Sequence, residues 1–172
     1  MKRRLYLLNS LAAALLFSGC MGYQLDGATH ANIHTVAMGP VINNTTESAI
    51  ELQVTHAMRE RIQFDGRVKL VNGPQQADAV LEITLTRYNM RPIAYKNEED
   101  LRTTPDLYRL KVDGIAELIN TKTGDIISSS KTYGEVTFQF QSDLTTSKRS
   151  ALPKAADEIA KFMLDDLIEA WK

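Results

Sequence analysis

Apolar and polar positions switch between two periods along this chain, and the switches mark a strand, a helix, four further strands and a second helix. Ile33 to Met38 reads as the first strand, with Gly39-Pro40 able to end it. Asn43-Asn44-Thr45-Thr46 supplies turn and capping oxygens, and Glu47, three residues after Asn44, has the spacing of a capping box. Ile50, Val54, Met58 and Ile62 then recur at every fourth residue with Ala57 beside them, and Gly66 follows as a C′ glycine. This predicts an amphipathic helix over about 47–64.

Val68 and Leu70 alternate with Arg67 and Lys69 in a short strand that Asn72-Gly73-Pro74 breaks. Leu81, Ile83 and Leu85 alternate with Glu82, Thr84 and Thr86 in a strand from Ala79 to Tyr88, covered on one face only, and Pro92 should end or bulge its pairing. Lys96 to Pro105 reads as a polar excursion, after which Tyr108, Leu110 and Val112 alternate with Arg109, Lys111 and Asp113 on the way to Ile119. Asn120-Thr121-Lys122-Thr123-Gly124 is a hairpin signal, and the returning strand runs from Asp125 toward Phe140 with Val136, Phe138 and Phe140 on one face. Leu152, Ala156, Ile159, Met163 and Leu167 keep helical spacing over about 147–170, a helix in which Pro153 fits only near the first turn. The expected fold class is α+β, with two helices packed on one face of a mostly antiparallel four- to five-stranded sheet.

The front of the chain has a different character. Lys2, Arg3 and Arg4 precede the mostly apolar run Leu5 to Phe17, too short to span a bilayer and of the length of a secretory h-region. It ends in Leu16-Phe17-Ser18-Gly19-Cys20, which resembles the lipobox of bacterial lipoproteins, with Phe17 where Leu is more usual. The resemblance implies cleavage after residue 19 and diacylglycerol on the Cys20 sulfur. Two or three acyl chains at about 0.8 kcal/mol per buried CH₂ hold a protein to a membrane for practical purposes permanently. Met21 stands where an inner-membrane retention signal has Asp, so the implied destination is the outer membrane, lipid-anchored on its periplasmic side. Residues 1–19 are thus expected to be a signal peptide, 20–32 a lipidated tether, and 33–172 one domain.

Composition narrows the functions. Without Lys2, Arg3 and Arg4 the mature part carries 17 bases against 21 acids, so no nucleic-acid binding is expected, because counterion release needs a basic surface. One cysteine forms neither an internal disulfide nor a thiolate zinc site. His30 and His34 have a metal-ligand spacing for a helix, but an extended chain puts them roughly 13 Å apart. His56 reads as a boundary residue of the first helix, and Glu98-Glu99-Asp100 as a solvated loop without EF-hand spacing. No nucleophile elbow, P-loop, dinucleotide fingerprint or zinc-protease motif occurs. The expectation is no enzyme, no cofactor and no metal; His56 and Glu82 would be the residues to test for the contrary.

The second face of the sheet is more informative. It should present Thr84, Thr86 and Tyr88, then Arg109 and Lys111, then either Ser128, Ser130 and Thr132 or Thr137 and Gln139. Arg87, Arg91, Lys96 and Arg102 lie near the long connection, so Arg87, Arg91, Lys96, Arg109 and Lys111 are the candidates for holding phosphate groups. A polar face also suits the wet lumen of a large outer-membrane barrel.

The lipobox, Gly22-Tyr23, Val36-Ala37-Met38-Gly39-Pro40-Val41-Ile42-Asn43-Asn44-Thr45 with the helix after it, Ala77-Asp78-Ala79-Val80-Leu81 and Pro92-Ile93-Ala94-Tyr95 together resemble the LptE-like lipopolysaccharide-assembly lipoproteins. That likeness implies an outer-membrane lipoprotein that plugs and helps assemble its LptD barrel partner and passes lipopolysaccharide to the outer leaflet, with basic residues touching the lipid. The opening strand, Asn-Asn-Thr turn and helix are also similar to the N-terminal unit of TolB-like and CsgG-like envelope proteins, which would imply an adaptor or a secretion-pore subunit.

Overall fold

The computed structural model describes residues 33–97 and 103–169. Strand β1 (Thr35–Asn43) leads to helix α1 (Ile50–Asp65), then β2 (Lys69–Val71), a 3-10 turn at Pro74–Gln76, the long strands β3 (Ala79–Asn97) and β4 (Thr103–Asn120), β5 (Ile126–Gln139) and helix α2 (Leu144–Glu169). The element order is the one the periodicities predict. The sheet runs β2-β1-β3-β4-β5 and is mixed, because β1 is parallel to both β2 and β3 while β3, β4 and β5 are antiparallel neighbours. The connection through α1 makes this so: a helix between β1 and β2 lets the chain return in the same direction.

The repeating apolar positions do what their spacing requires. Ile50, Val54, Met58 and Ile62 of α1 and Ile159, Met163 and Leu167 of α2 are buried with Leu81, Ile83, Leu85, Leu110 and Val112 of the sheet in one core. Arg61 to Asp165 at 3.5 Å ties the two helices together, and Lys148 to Glu47 at 2.8 Å ties α2 to the turn that precedes α1. Gly66 takes the left-handed conformation at φ 73° and donates its N–H to the Ile62 carbonyl, closing α1 as a C′ glycine does. Helix α2 packs closest at Gly134, where an added Cβ would lie 2.3 Å from the Ala155 carbonyl oxygen.

Several boundaries differ from expectation. Strand β1 continues through Gly39-Pro40 with a register shift between Met38 and Val41, so this pair bends the strand instead of ending it. No capping box forms at α1, whose N-cap is Ala49 with φ 63° and no side-chain cap. Asn43 organises the turn instead: its amide donates to the Glu47 carbonyl and to Glu51 Oε2, and its Oδ1 accepts from the Thr45 amide and hydroxyl. The polar stretch after Lys96 is strand at both ends, because β3 reaches Asn97 and β4 begins at Thr103. Helix α2 begins at Leu144, where Asp143 Oδ1 accepts the Thr146 N–H at 2.8 Å as an N-cap. Pro153 therefore lies well inside the helix, on its exposed side, where water can meet the carbonyl that a proline leaves without a donor.

Candidate functional site

Register decides which side chains share the open face of the sheet. A one-residue shift between Leu85 and Arg87 moves the alternation of β3 by one. Beyond it, Tyr88 pairs with Val112 and Met90 with Leu110, both buried partners, so these turn to the helices. Burial accordingly pushes the Tyr88 hydroxyl up to about 12, helped by the charge of Glu47. Tyr88 is thus not on the polar face expected for it. Ser128, Ser130 and Thr132 also face the helices, opposite Leu118, Ala116 and Gly114, and Ser130 donates to Asp166 of α2 at 2.9 Å. Thr137 is the β5 residue opposite Arg109 on the open face.

The same shift brings the basic residues together. Arg87, Asn89 and Arg91 of β3 stand opposite Asp113, Lys111 and Arg109 of β4, which stand opposite Tyr133, Glu135 and Thr137 of β5. Arg87, Asn89, Arg91, Arg109, Lys111, Asp113 and Glu135 line a recess of about 170 Å³. Four of the five candidate residues meet there. Lys96 does not: it lies beyond two further register shifts and pairs with Asp106 at 2.8 Å. Arg102, Glu98, Glu99, Asp100, His30 and Cys20 lie outside the described residues.

Within the recess the four cations are unequally satisfied. Arg109 Nε is 3.2 Å from Glu135 Oε1 yet makes no hydrogen bond, and it is buried. Lys111 Nζ is 3.2 Å from Asp113 and 3.9 Å from the centre of the Tyr133 ring. Arg87 and Arg91 have no ion pair among the described residues. Arg91 and Arg109 are directly opposed across neighbouring strands, an arrangement that costs stability unless an anion joins it. Three arginines and a lysine converging on one recess present planar, bidentate donors and a point charge suited to phosphate oxygens. Asn89, Asp113, Glu135 and Tyr133 are members of the site that sequence reasoning missed; alternation along β3, β4 and β5 points to them, but only with the register in hand.

A larger depression of about 550 Å³ over the helices is bordered by four acids (Glu60, Glu135, Asp157, Glu158) and three bases (Arg61, Lys154, Lys161), so it offers an anion no advantage. His56 is exposed beside Glu60 at 3.5 Å. No group of three or more metal-ligating side chains occurs, and no helix is long and apolar enough to cross a membrane, among the described residues.

The sequence matches the model of the LptE lipopolysaccharide-assembly family over residues 33–170, and the chain belongs to that family. No curated protein matches it. Among solved structures it is similar to protein XCC0632 from Xanthomonas campestris, at 11% identity over 83% of this chain and 87% of that one with a TM-score of 0.52. It is also similar to a homolog of neuraminyllactose-binding hemagglutinin from Helicobacter pylori, at 12% identity over 87% and 93% of the two chains with a TM-score of 0.51. Lipoprotein GNA1162 from Neisseria meningitidis aligns at 13% identity over 69% and 92% with a TM-score of 0.46. At these identities the likeness to the first two is one of fold alone. The family match favours the first of the two resemblances drawn from the sequence over the TolB-like and CsgG-like one.

Proposed function

We propose that this LptE-family protein is a non-catalytic scaffold, held at the outer membrane by lipid on Cys20, that sits in the polar lumen of an LptD-type barrel and offers its cationic sheet face to the phosphate groups of lipopolysaccharide. The observation that carries the reading is the opposition of Arg91 and Arg109, with Arg87 and Lys111 in the same recess, on the side of the sheet that the helices leave open. A face of charged and hydroxyl side chains is compatible with a water-filled barrel interior, whereas a lipid-facing wall would need apolar residues. Lipidation rests on the lipobox pattern alone, and the barrel partner rests on the family.

Two measurements test it. A chain tagged at its C-terminus and extracted from outer membranes in detergent should bring a large β-barrel with it in stoichiometric amount; extraction as a free monomer would refute the partner. Charge reversal at Arg91 and Arg109 together should reduce lipopolysaccharide binding by at least tenfold with thermal unfolding still cooperative, since each arginine-phosphate contact is worth about 1.5–3 kcal/mol. Unchanged binding would remove the recess as the lipid site and leave the scaffold role standing.

A further inference from the structure

The recess holds its own anions. Asp113 and Glu135 sit among the four cations and lower the local charge from four positive to two positive. They engage the inner pair, Lys111 and Arg109, and leave the outer pair, Arg87 and Arg91, without carboxylates. Neither contact is saturated. Glu135 approaches the buried Arg109 Nε without a hydrogen bond, and Lys111 is shared between Asp113 and the ring of Tyr133. Both carboxylates are about one-third exposed, so each can swing toward water. The backbone under Glu135 is held independently, because its N–H donates to Glu158 of α2. Its side chain can therefore leave Arg109 without moving the strand.

We infer that Asp113 and Glu135 are displaceable counter-ions that limit the affinity of the recess for phosphate, so that a phosphate-bearing ligand is held briefly and released. This rests on the phosphate-binding reading above and adds the control of that binding. An incoming phosphate takes the unpaired Arg87 and Arg91 first, then supplies to Arg109 Nε the hydrogen bond that Glu135 does not make. Every ligand that does this pays the cost of turning out a carboxylate. The site thereby suits transit, in which tight retention would be a fault.

The test uses the full chain in detergent with inorganic pyrophosphate as the probe, followed by titration calorimetry and stopped-flow dissociation at low ionic strength. Glu135→Gln and Asp113→Asn should each tighten binding roughly three- to tenfold, mostly through slower dissociation, since each removes about one unit charge at close range. A merely structural role for either carboxylate would weaken binding. Glu117→Gln is the control: it removes the same charge from β4 on the same face, outside the recess and opposite Glu82. The inference is overturned if the two recess variants bind like the parent or more weakly, or if Glu117→Gln tightens binding as much as they do. A parent chain that binds no pyrophosphate overturns it together with the recess as a phosphate site.

Discussion

Replacing Arg91 by glutamine should stabilise the fold and weaken phosphate binding at once. Arg91 stands directly opposite Arg109, and no carboxylate pairs with it among the described residues. Directly opposed Cβ atoms are about 5 Å apart, and long side chains splay, so the two guanidinium charges are on the order of 8 Å apart. In water that separation corresponds to about 0.5 kcal/mol of repulsion, falling by roughly half at 0.1 M salt. Loss of the Arg91 charge should thus raise stability by about 0.5 kcal/mol at low ionic strength. With a urea slope of about 1.5 kcal/mol/M, the unfolding midpoint moves up by about 0.3 M. The gain should fade as salt is added, while lipopolysaccharide binding drops under all conditions. A midpoint that falls, or one that rises equally at high salt, would refute the view that Arg91 is a strained binding residue, as would unchanged binding.

Other consequences are separable. Gly134→Ala places a methyl group against the Ala155 carbonyl and the Ile159 amide, both helix backbone, and should destabilise by about 3 kcal/mol in urea unfolding; a loss under 1 kcal/mol would mean that α2 is not seated there. The Asp78 carboxylate accepts from the Thr35 hydroxyl, the His34 amide and the Thr35 amide, which hold it below its usual value of 3.8. Its folded pKa is depressed, so its contribution is complete above the ordinary carboxylate pKa and is lost as pH falls through 3.8 and below. Asp78→Asn should therefore lower stability at neutral pH and flatten the acid limb of a stability-pH profile; an unaltered limb would refute the role. Cys20→Ala should abolish incorporation of labelled fatty acid into the protein, and labelling retained by the variant would refute lipid anchoring at that residue.

Periodicity alone determined the elements, because the side-chain period of a helix or strand is a local property. The run Ile50, Val54, Met58 and Ile62, the C′ role of Gly66 and the Asn120–Gly124 hairpin are all as the sequence implies. In that hairpin Asn120 Oδ1 accepts from the Lys122 and Thr123 amides, and Gly124 takes φ 77°. The lysines and arginines that could meet a phosphate were visible too. What tertiary structure decided was which of them meet. Counting outward from the hairpin gives the wrong partners, since the register shifts once between Leu118 and Ile119; a second shift, between Leu85 and Arg87, does the same on the other side of β4. Each shift exchanges the two faces of a strand. They turn Tyr88, Ser128 and Ser130 toward the helices and gather Arg87, Arg91, Arg109 and Lys111 with two carboxylates on the open side. The parallel pairing of β1 is likewise a matter of where α1 can pack and not of the residues of β1. Bulges and strand direction are set by contacts between segments distant in sequence, and no single segment carries the information that fixes them.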